Sequence, residues 1–504
     1  MCCLAAQQTN VAQLSIAFAF FNFMPLHHPQ HPHHHEEHPQ SITNTELFER
    51  MPVAQAVANL SIPTILSQLI TMIYNAADTY FIGQLNNHYM VAALSLTFPL
   101  FYSLNAIGNL FGLGGASVIS RLLGSGREEK VKYVSSFSFY AIIGTALFYS
   151  IFSYIFLDKV LYILGASANT IEYARQYMFY VVTIGAIPTA VNLGVANLLR
   201  SDGHAKQASF GLMMGGILNI ILDPIFIFLL KLDVTGVAIA TLISSLIAAT
   251  YFIFIMVRLR HQGKMSMSLN PKHFRWRCFM PVTSIGISSA LNTFLAGVGN
   301  FLIVRLSSQY GDIPVAAFGI VKKIDMLPIN ISMGICQGYM PLVGYNYASK
   351  NYKRMWAISR FAWLCSLIFS IGCVLGAWLF SESIIELFIN HQATVELGAK
   401  FLRIASLGVP LTVVNFLIAY GLQAMGLGKP SFILSAIRLG LFNISITLLL
   451  DHYFGMFGVI SGQPIAEILA FLVSGTVYYI ILHRLMAELK TKKNPLIQAV
   501  AKYT

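Results

Sequence analysis

The chain reads as a succession of apolar stretches about 20 residues long, each closed by a short polar break. Twelve stretches recur, at 56–82, 90–118, 133–156, 175–198, 207–231, 235–258, 281–305, 314–341, 358–380, 401–424, 431–450 and 457–482. A helix rising about 1.5 Å per residue crosses a hydrocarbon core of roughly 30 Å in about 20 residues, so each stretch is long enough to span. The apolar residues run on continuously, whereas strands of a membrane barrel would show short alternating segments. Most of the polar breaks are short, which leaves no place for a large soluble domain. The pattern predicts an all-α integral membrane protein with twelve transmembrane helices.

Composition agrees: 504 residues are 56% hydrophobic and only 10% charged, with a mean hydropathy of +0.66. The formal charge of +12 would suit nucleic acid if it were gathered on one soluble surface. Instead the basic residues alternate by loop. Arg121, Arg127, Lys130 and Lys132 follow helix 2, Arg200 and Lys206 follow helix 4, and Arg258, Arg260, Lys264, Lys272, Arg275 and Arg277 follow helix 6. Lys350, Lys353 and Arg354 follow helix 8, Lys429 follows helix 10, and Arg484, Lys490, Lys492 and Lys493 follow helix 12; the opposite loops hold little more than Lys159 and Lys231. By the positive-inside rule the even loops and both termini are expected in the cytoplasm. The charge is topology, and no nucleic acid partner is implied. Six scattered cysteines give neither a disulfide framework nor a metal spacing.

The first fifty residues stand apart. "LHHPQHPHHHEEHPQ" (26–40) carries seven histidines among prolines and glutamates, the composition of a disordered tail or a low-affinity metal tract. "VAQLSIAFAFFNFM" (11–24) is too short to span and lacks a basic flank. The expected organisation is a disordered His-rich extension (1–50), an N-terminal six-helix lobe (51–262), a cytoplasmic linker (263–280), a C-terminal six-helix lobe (281–486) and a cytoplasmic tail (487–504).

Two lobes follow from an internal repeat. "VAALSLTF" (91–98) and "VAAFGIVK" (315–322) match at an offset of 224, and "ILNIILD" (217–223) meets "LFNISIT" (441–447) at the same offset. Six helices per half leave both halves in one orientation, so two pseudo-symmetric six-helix bundles with a cavity between them are expected. The repeat is chemically unequal: where the first half has Asp78 and Asp223, the second has neutral groups such as Asn300 and Thr447.

Acids inside apolar helices are costly, by roughly 2.5–3.5 kcal/mol at a helix centre, and usually face a cavity or a partner. Asp78 has Tyr74 four residues before it, and Asp223 has Asn219 at the same spacing, so each acid shares a helical face with a hydrogen-bonding group. Two shielded carboxylates can exchange a proton, or with amide and backbone oxygens hold Na⁺; the residues do not choose between these. Lys322 and Asp325 stand at i,i+3 and are expected to pair, as are Arg438 and Glu467 between helices 11 and 12. The glycines of "NLFGLGGAS" (109–117) suggest close helix packing rather than a phosphate loop, since no GK[ST] follows. Met213 and its neighbours could line a pliable pocket. Neither a nucleotide-binding motif nor a catalytic grouping is visible, so no enzyme activity and no cofactor are expected.

"IPTILSQLITMIYNAADTYFIGQL" (62–85), "RSDGHAKQASFGLMMGGILNIILDPIFIF" (200–228) and "VAAFGIVKKIDMLPINISMGICQGYMPLVGYNYASKNYKR" (315–354) resemble the multidrug and toxic compound extrusion (MATE) family, in its DinF/MepA-like bacterial branch, over about residues 52–485. The resemblance implies a twelve-helix antiporter that exchanges inward H⁺ or Na⁺ for outward, often cationic, drugs. It assigns cation coupling to Asp78, Tyr74, Asn219 and Asp223 in the first lobe, with Asp78, Asn219 and Asp223 as the set for Na⁺. Helix-4 asparagines, here Asn192 and Asn197, also serve in the family. Another branch carries acids in helices 7 and 10, where this chain has Asn292 and Asn300, and Asn415 and Gln423. Asn192, Asn197, Met213, Asn300, Asn415, Gln423 and Arg438 are the expected cavity-lining residues.

The expected function is therefore cation-coupled secondary antiport of organic cations by alternating access, by a functional monomer in the lipid of the inner membrane. Two alternatives stand beside it: a flippase for lipid-linked oligosaccharides, which would need a basic cavity and for which Lys322, Lys323 and Arg438 are available, and a non-transporting receptor or scaffold.

Overall fold

The computed structural model describes residues 46–492 apart from 86, 264 and 390; of a few residues within helices, chiefly 484–492 and several near 79–98, only the backbone course is described. The His-rich tract and the apolar stretch 11–24 lie outside the described residues. The described residues belong to one compact unit. Among the described residues there is no strand.

Twelve helical spans follow in order. They are α1 (Val53–Gly83), α2 (His88–Gly124), α3 (Val131–Ile163), α4 (Ile171–Ile184 with Ala186–Ser201), α5 (Ala205–Leu229) and α6 (Asp233–His261), then α7 (Phe279–Ser307), α8 (Asp312–Ala348), α9 (Tyr352–Leu379), α10 (Gln392–Ala424), α11 (Gly428–Phe454) and α12 (Met456–Lys492). Ten are long and apolar enough to cross a membrane on their own, and α4 qualifies as a pair of segments bent by 54°. The bend falls at Gly185, where a β-carbon would collide with the carbonyls of Tyr180 and Val181. The remaining helix, α8, is as long as any at 37 residues but carries Lys322, Lys323 and Asp325. Prolines inside α1 (Pro63), α2 (Pro99), α8 (Pro328, Pro341) and α12 (Pro464) do not break their helices, as is usual where neighbouring helices satisfy the freed backbone. Large apolar side chains such as Phe148, Ile155, Leu364 and Leu379 cover the outer surface, the expected state where the surrounding solvent is lipid.

Packing repeats between the halves. In the first, α1 packs on α5, α2 on α4 and α5 on α6; in the second, α7 packs on α11, α8 on α10 and α11 on α12. The two largest contacts across the halves, α2 with α7 and α1 with α8, exchange under the same correspondence. This is the pseudo-two-fold relation expected from the repeat.

The buried core divides unevenly along the helix axes. At the end bearing the basic loops, one continuous cluster takes residues from both halves, including Leu60, Leu113, Val282, Cys336, Tyr339, Val413 and Tyr478. At the opposite end there are two separate clusters. One, with Ile82, Leu94, Leu161, Val181, Ile227 and Val237, belongs to the first half; the other, with Ile303, Phe318, Val321, Phe401 and Val459, belongs to the second. The apolar cores of the bundles are thus continuous at the basic end and separate at the other.

Two boundaries differ from expectation. Glu46–Arg50, read as part of a disordered extension, form one wide helical turn with Phe48 fully buried. The helix α12 continues through Lys492 into the segment read as a tail. The linker is short of regular structure but not loose: it holds two single turns, Pro271–His273 and Trp276–Cys278, laid against α3.

Candidate functional site

Asp78 and Asp223 are brought together. α1 packs against α5 because Gly216 admits Ile70 and Tyr74 where a β-carbon would overlap them. One helical turn further on, the carboxyl groups of Asp78 and Asp223 meet within hydrogen-bonding reach. Asp78 is 5% exposed and Asp223 is fully buried. Asn219, one turn before Asp223, donates through Nδ2 to Asp223 Oδ1 at 3.3 Å and to Thr241 Oγ1 on α6 at 3.2 Å.

Asp78, with Asp223 beside it, borders a small cavity that it lines together with Tyr74, Asn75, Leu94, Thr97, Phe101, Tyr177 and Thr241. Every helix of the first half except α3 contributes to this cavity or to the Asn219–Asp223 pair beside it. Three buried oxygens have no hydrogen-bond partner here: Oδ1 of Asp78, Oδ1 of Asn219 and Oδ2 of Asp223. Carboxylate and amide oxygens without donors, in a place shielded from water, form an acceptor set for a small cation. With both acids ionised, two like charges would also lie side by side out of water, a state that a shared proton or a bound cation relieves.

The other expected residues divide. Tyr74 lines the cavity, but its hydroxyl pairs with Asn75; a hydrogen bond to Asp78 is not among those described. Asn192 is buried and donates to the Ser245 carbonyl at 3.0 Å. Asn197 is drawn away from the acids: its Oδ1 accepts from Arg200 at 2.8 Å and its amide reaches Asn109 on α2 at 3.4 Å. Asn109 then donates to Thr293 on α7 at 2.8 Å, bridging the halves. Gln423 belongs to the continuation of this polar chain, accepting from Ser289 at 2.7 Å and donating to Ser288 and Ser431. Asn300 is half-buried and pairs with Tyr102 of α2. Met213 is half-buried on α5 and lines neither described cavity.

Asn415 and Arg438 do line a small cavity in the second half, with Ser435 and Ser474. Arg438 sits in a run of widened helical turns, Ala436–Ile444, and its Nε lies 3.0 Å from Glu467 Oε1, so the expected pair forms. Asn415 donates to the same carboxylate at 2.7 Å, and the guanidinium rests 4.4 Å from the centroid of Phe416. The expected Lys322–Asp325 pair is replaced by a hydrogen bond from Lys322 to Gln463 on α12, with Asp325 in electrostatic range.

Sequence reading missed Thr241, Tyr177 and Thr97. A single threonine or tyrosine in an apolar helix carries no signal of its own; only the packing of α2, α4 and α6 around the acids selects these three.

A multi-span helical bundle with paired repeats and buried charged groups is an architecture that membrane transporters share. The profile of the MatE family matches residues 63–225 and 286–449, once in each half, and the chain belongs to this family of membrane transporters. It is similar to the multidrug export protein MepA of Staphylococcus aureus, 32% identical over 441 residues covering 88% of this chain and 97% of that protein. The MepA of Staphylococcus haemolyticus is 34% identical over 435 residues, covering 86% and 94%. Among solved structures, a MATE protein in complex with MaL6 superimposes with a TM-score of 0.82 at 24% identity, covering 89% of this chain and all of that one. A mutant of the Vibrio cholerae transporter VcmN gives 0.79 at 21% identity, covering 86% and 97%. These likenesses carry the twelve-helix fold.

Proposed function

We propose that the protein is a cation-coupled antiporter of the bacterial cytoplasmic membrane that exports organic, chiefly cationic, compounds by alternating access, with the Asp78–Asp223 pair as its coupling site. The observation that carries the reading is the meeting of two buried carboxyl groups that, with Asn219, present three unpartnered oxygens at the edge of a small cavity. In this reading 51–262 and 281–486 are the lobes, the basic end and both termini are cytoplasmic, and the parted cores put the opening on the outer side.

Coupling follows from charge. An empty, doubly ionised pair is held apart by repulsion, while a proton shared between the acids, or Na⁺ among Asp78, Asn219 and Asp223, draws α1 and α5 together. The ion therefore binds one arrangement of α1 more tightly than the other, and only such a difference shifts a conformational equilibrium. Pro63 gives α1 a site at which to flex. A cationic cargo competes for the same negative charge, so ion entry favours its release.

Two of the three basic groups available to the flippase reading have partners of their own. Arg438 is matched by Glu467, and Lys322 is bonded to Gln463 near Asp325. A receptor or scaffold would show no dependence on an ion gradient. The deciding experiment is efflux of a panel of organic cations from everted vesicles energised separately by H⁺ and Na⁺ gradients. Transport under at least one gradient, lost in Asp78→Asn, supports the reading; gradient-independent behaviour overturns it.

A further inference from the structure

The segment joining the halves is pinned to α3 along its length. Ser135 Oγ accepts from the Ser268 backbone N–H at 2.8 Å, Ser136 Oγ donates to the Asn270 carbonyl at 2.9 Å, and the Tyr140 hydroxyl donates to the Leu269 carbonyl at 2.8 Å. Phe137 of α3 is ringed by Phe274, Trp276 and Phe279 at centroid distances of 5.5, 6.3 and 6.3 Å. The frame is rigid, and it gathers cations.

Lys132 Nζ lies 5.2 Å and Arg275 Cζ 5.4 Å from the centroid of the same Tyr133 ring, against which His273 also sets its imidazole edge-on at 6.0 Å. Arg260 reaches in from α6, donating to the Met267 carbonyl at 3.1 Å. Loss of hydration, and then Arg260, Lys132 and Arg275, hold the His273 imidazole below its ordinary range. The described ion pairs all lie elsewhere, and the neighbouring acids Glu128 and Glu129 are exposed and reach none of these cations through them. Topology alone asks only that positive charge lie on one side, in any arrangement. Here the fold holds several cations together on a fixed surface against their own repulsion, which points to a missing anion.

The position of the cluster says which anion. Trp276, 68% exposed, stacks on Phe279 at 5.0 Å, and Met280, 70% exposed, follows at the start of α7. An exposed tryptophan beside the first turn of a membrane helix is typical of the head-group boundary. We propose that Lys132, Arg260 and Arg275, gathered around Tyr133 and flanked by Trp276, bind the phosphate head group of an anionic membrane phospholipid. The guanidinium groups of Arg275 and Arg260 and the ammonium group of Lys132 supply charge-assisted donors to phosphate oxygens, and Trp276 and Met280 meet the acyl chain. Because the site is built from α3, the linker and the start of α7, an occupied site ties the two halves at their junction.

The test uses the full chain in detergent, with phosphatidylglycerol, phosphatidylcholine and inorganic phosphate as separate probes, read by melting temperature and by lipid adducts in native mass spectrometry. Phosphatidylglycerol is expected to raise the melting temperature and persist as an adduct, and the other two to do neither. Lys132→Gln, whose ammonium group donates no described hydrogen bond, should weaken the effect about fivefold, the equivalent of roughly 1 kcal/mol for one basic residue at an anionic surface. Arg275→Gln should weaken it further. Equal response to phosphatidylcholine, equal response to inorganic phosphate, or an unchanged response in the lysine variant would each overturn the proposal.

Discussion

Gly286 of α7 lies against the carbonyl of Leu110 on α2, with no room for a β-carbon between them. The contact is one of several. Gly114 meets Val282, Gly124 meets Tyr345, Gly334 meets Ile65 and Gly338 meets Ser61, all between the halves and toward the basic end. Backbone thus touches backbone where the two bundles are fused, the kind of approach that small residues permit between membrane helices. Gly286→Val or Gly338→Val is expected to force this junction apart, at a cost of about 1–3 kcal/mol or more, and to lower drug resistance in cells. Gly144→Ala and Gly372→Ala, where a β-carbon meets open space, should leave resistance unchanged and stability equal or higher, since alanine favours a helix by up to about 1 kcal/mol over glycine. Resistance assays with melting temperatures on the same four variants check this; a normal Gly286→Val protein would show that the halves need not close here.

The coupling pair predicts a particular pattern of loss. Asp78→Asn and Asp223→Asn should each abolish gradient-driven efflux while leaving expression intact, and the double variant should be no worse than either, because both acids serve one ion. Partial and additive losses, measured as initial rates in everted vesicles, would mean two independent sites.

Asn219 joins Asp223 to Thr241, so its removal strands two buried groups. Asn219→Leu is expected to destabilise by about 1–3 kcal/mol, the usual consequence of an unsatisfied buried polar group. It should also shift the concentration of driving ion needed for half-maximal efflux. Thr241→Val should reproduce the stability change without the full transport change, since Thr241 touches Asn219 and not the acids in the described bonds. Calorimetry and ion-titrated transport separate the two effects.

How much of this was legible in the sequence follows from what a membrane demands. Backbone groups in lipid must be satisfied within each segment, so helix number, length and order are written as apolar runs, and the repeat carried the two-bundle arrangement. Asp78, Asn219 and Asp223 were visible because acids and amides are conspicuous in such runs. Partners across helices were not visible. Lys322 passes over Asp325 for Gln463, Tyr74 pairs with Asn75, and Asn197 turns to Arg200 and Asn109, because each choice depends on rotations of α1, α4, α8 and α12 that leave no periodic trace. The bend at Gly185 and the split of the core at one end are likewise properties of packing.

Arg438 and Glu467 show how a second, different charge site behaves. The pair is buried, and Asn415 and Phe416 complete its surroundings. Glu467→Gln alone should cost about 3–5 kcal/mol by leaving an uncompensated guanidinium, while Arg438→Met with Glu467→Leu should recover most of that loss. Melting curves for the three proteins test this. If the double variant is stable but no longer transports, the pair serves cargo or ion in the second cavity; if it transports normally, the pair is structural.

Phe48 and Tyr345 stack at 4.8 Å with ring planes 10° apart, and the stack anchors the turn that precedes α1 to the last turn of α8 and the first turn of α9. Arg354 donates to the carbonyls of Phe48 at 2.8 Å and Met51 at 2.6 Å, Asn346 donates to Phe48 at 3.1 Å, and the Tyr345 hydroxyl reaches Glu49 at 2.8 Å. A segment attached to the first bundle is therefore held by the second, at the basic end where the bundles already meet. Phe48→Ala should cost about 3–5 kcal/mol if the whole contact is lost, as for aromatic truncation in a core. Arg354→Gln should cost less, because Asn346 keeps its bond to the Phe48 carbonyl. The informative comparison is between stability and transport: a turn that only braces the fold lowers the melting temperature and leaves the turnover of folded protein intact, whereas one that holds the basic end shut also raises leak of substrate in vesicles without a gradient. Measuring both on Phe48→Ala and Arg354→Gln distinguishes a brace from a latch, and unchanged values for both would show that the turn detaches in the working protein.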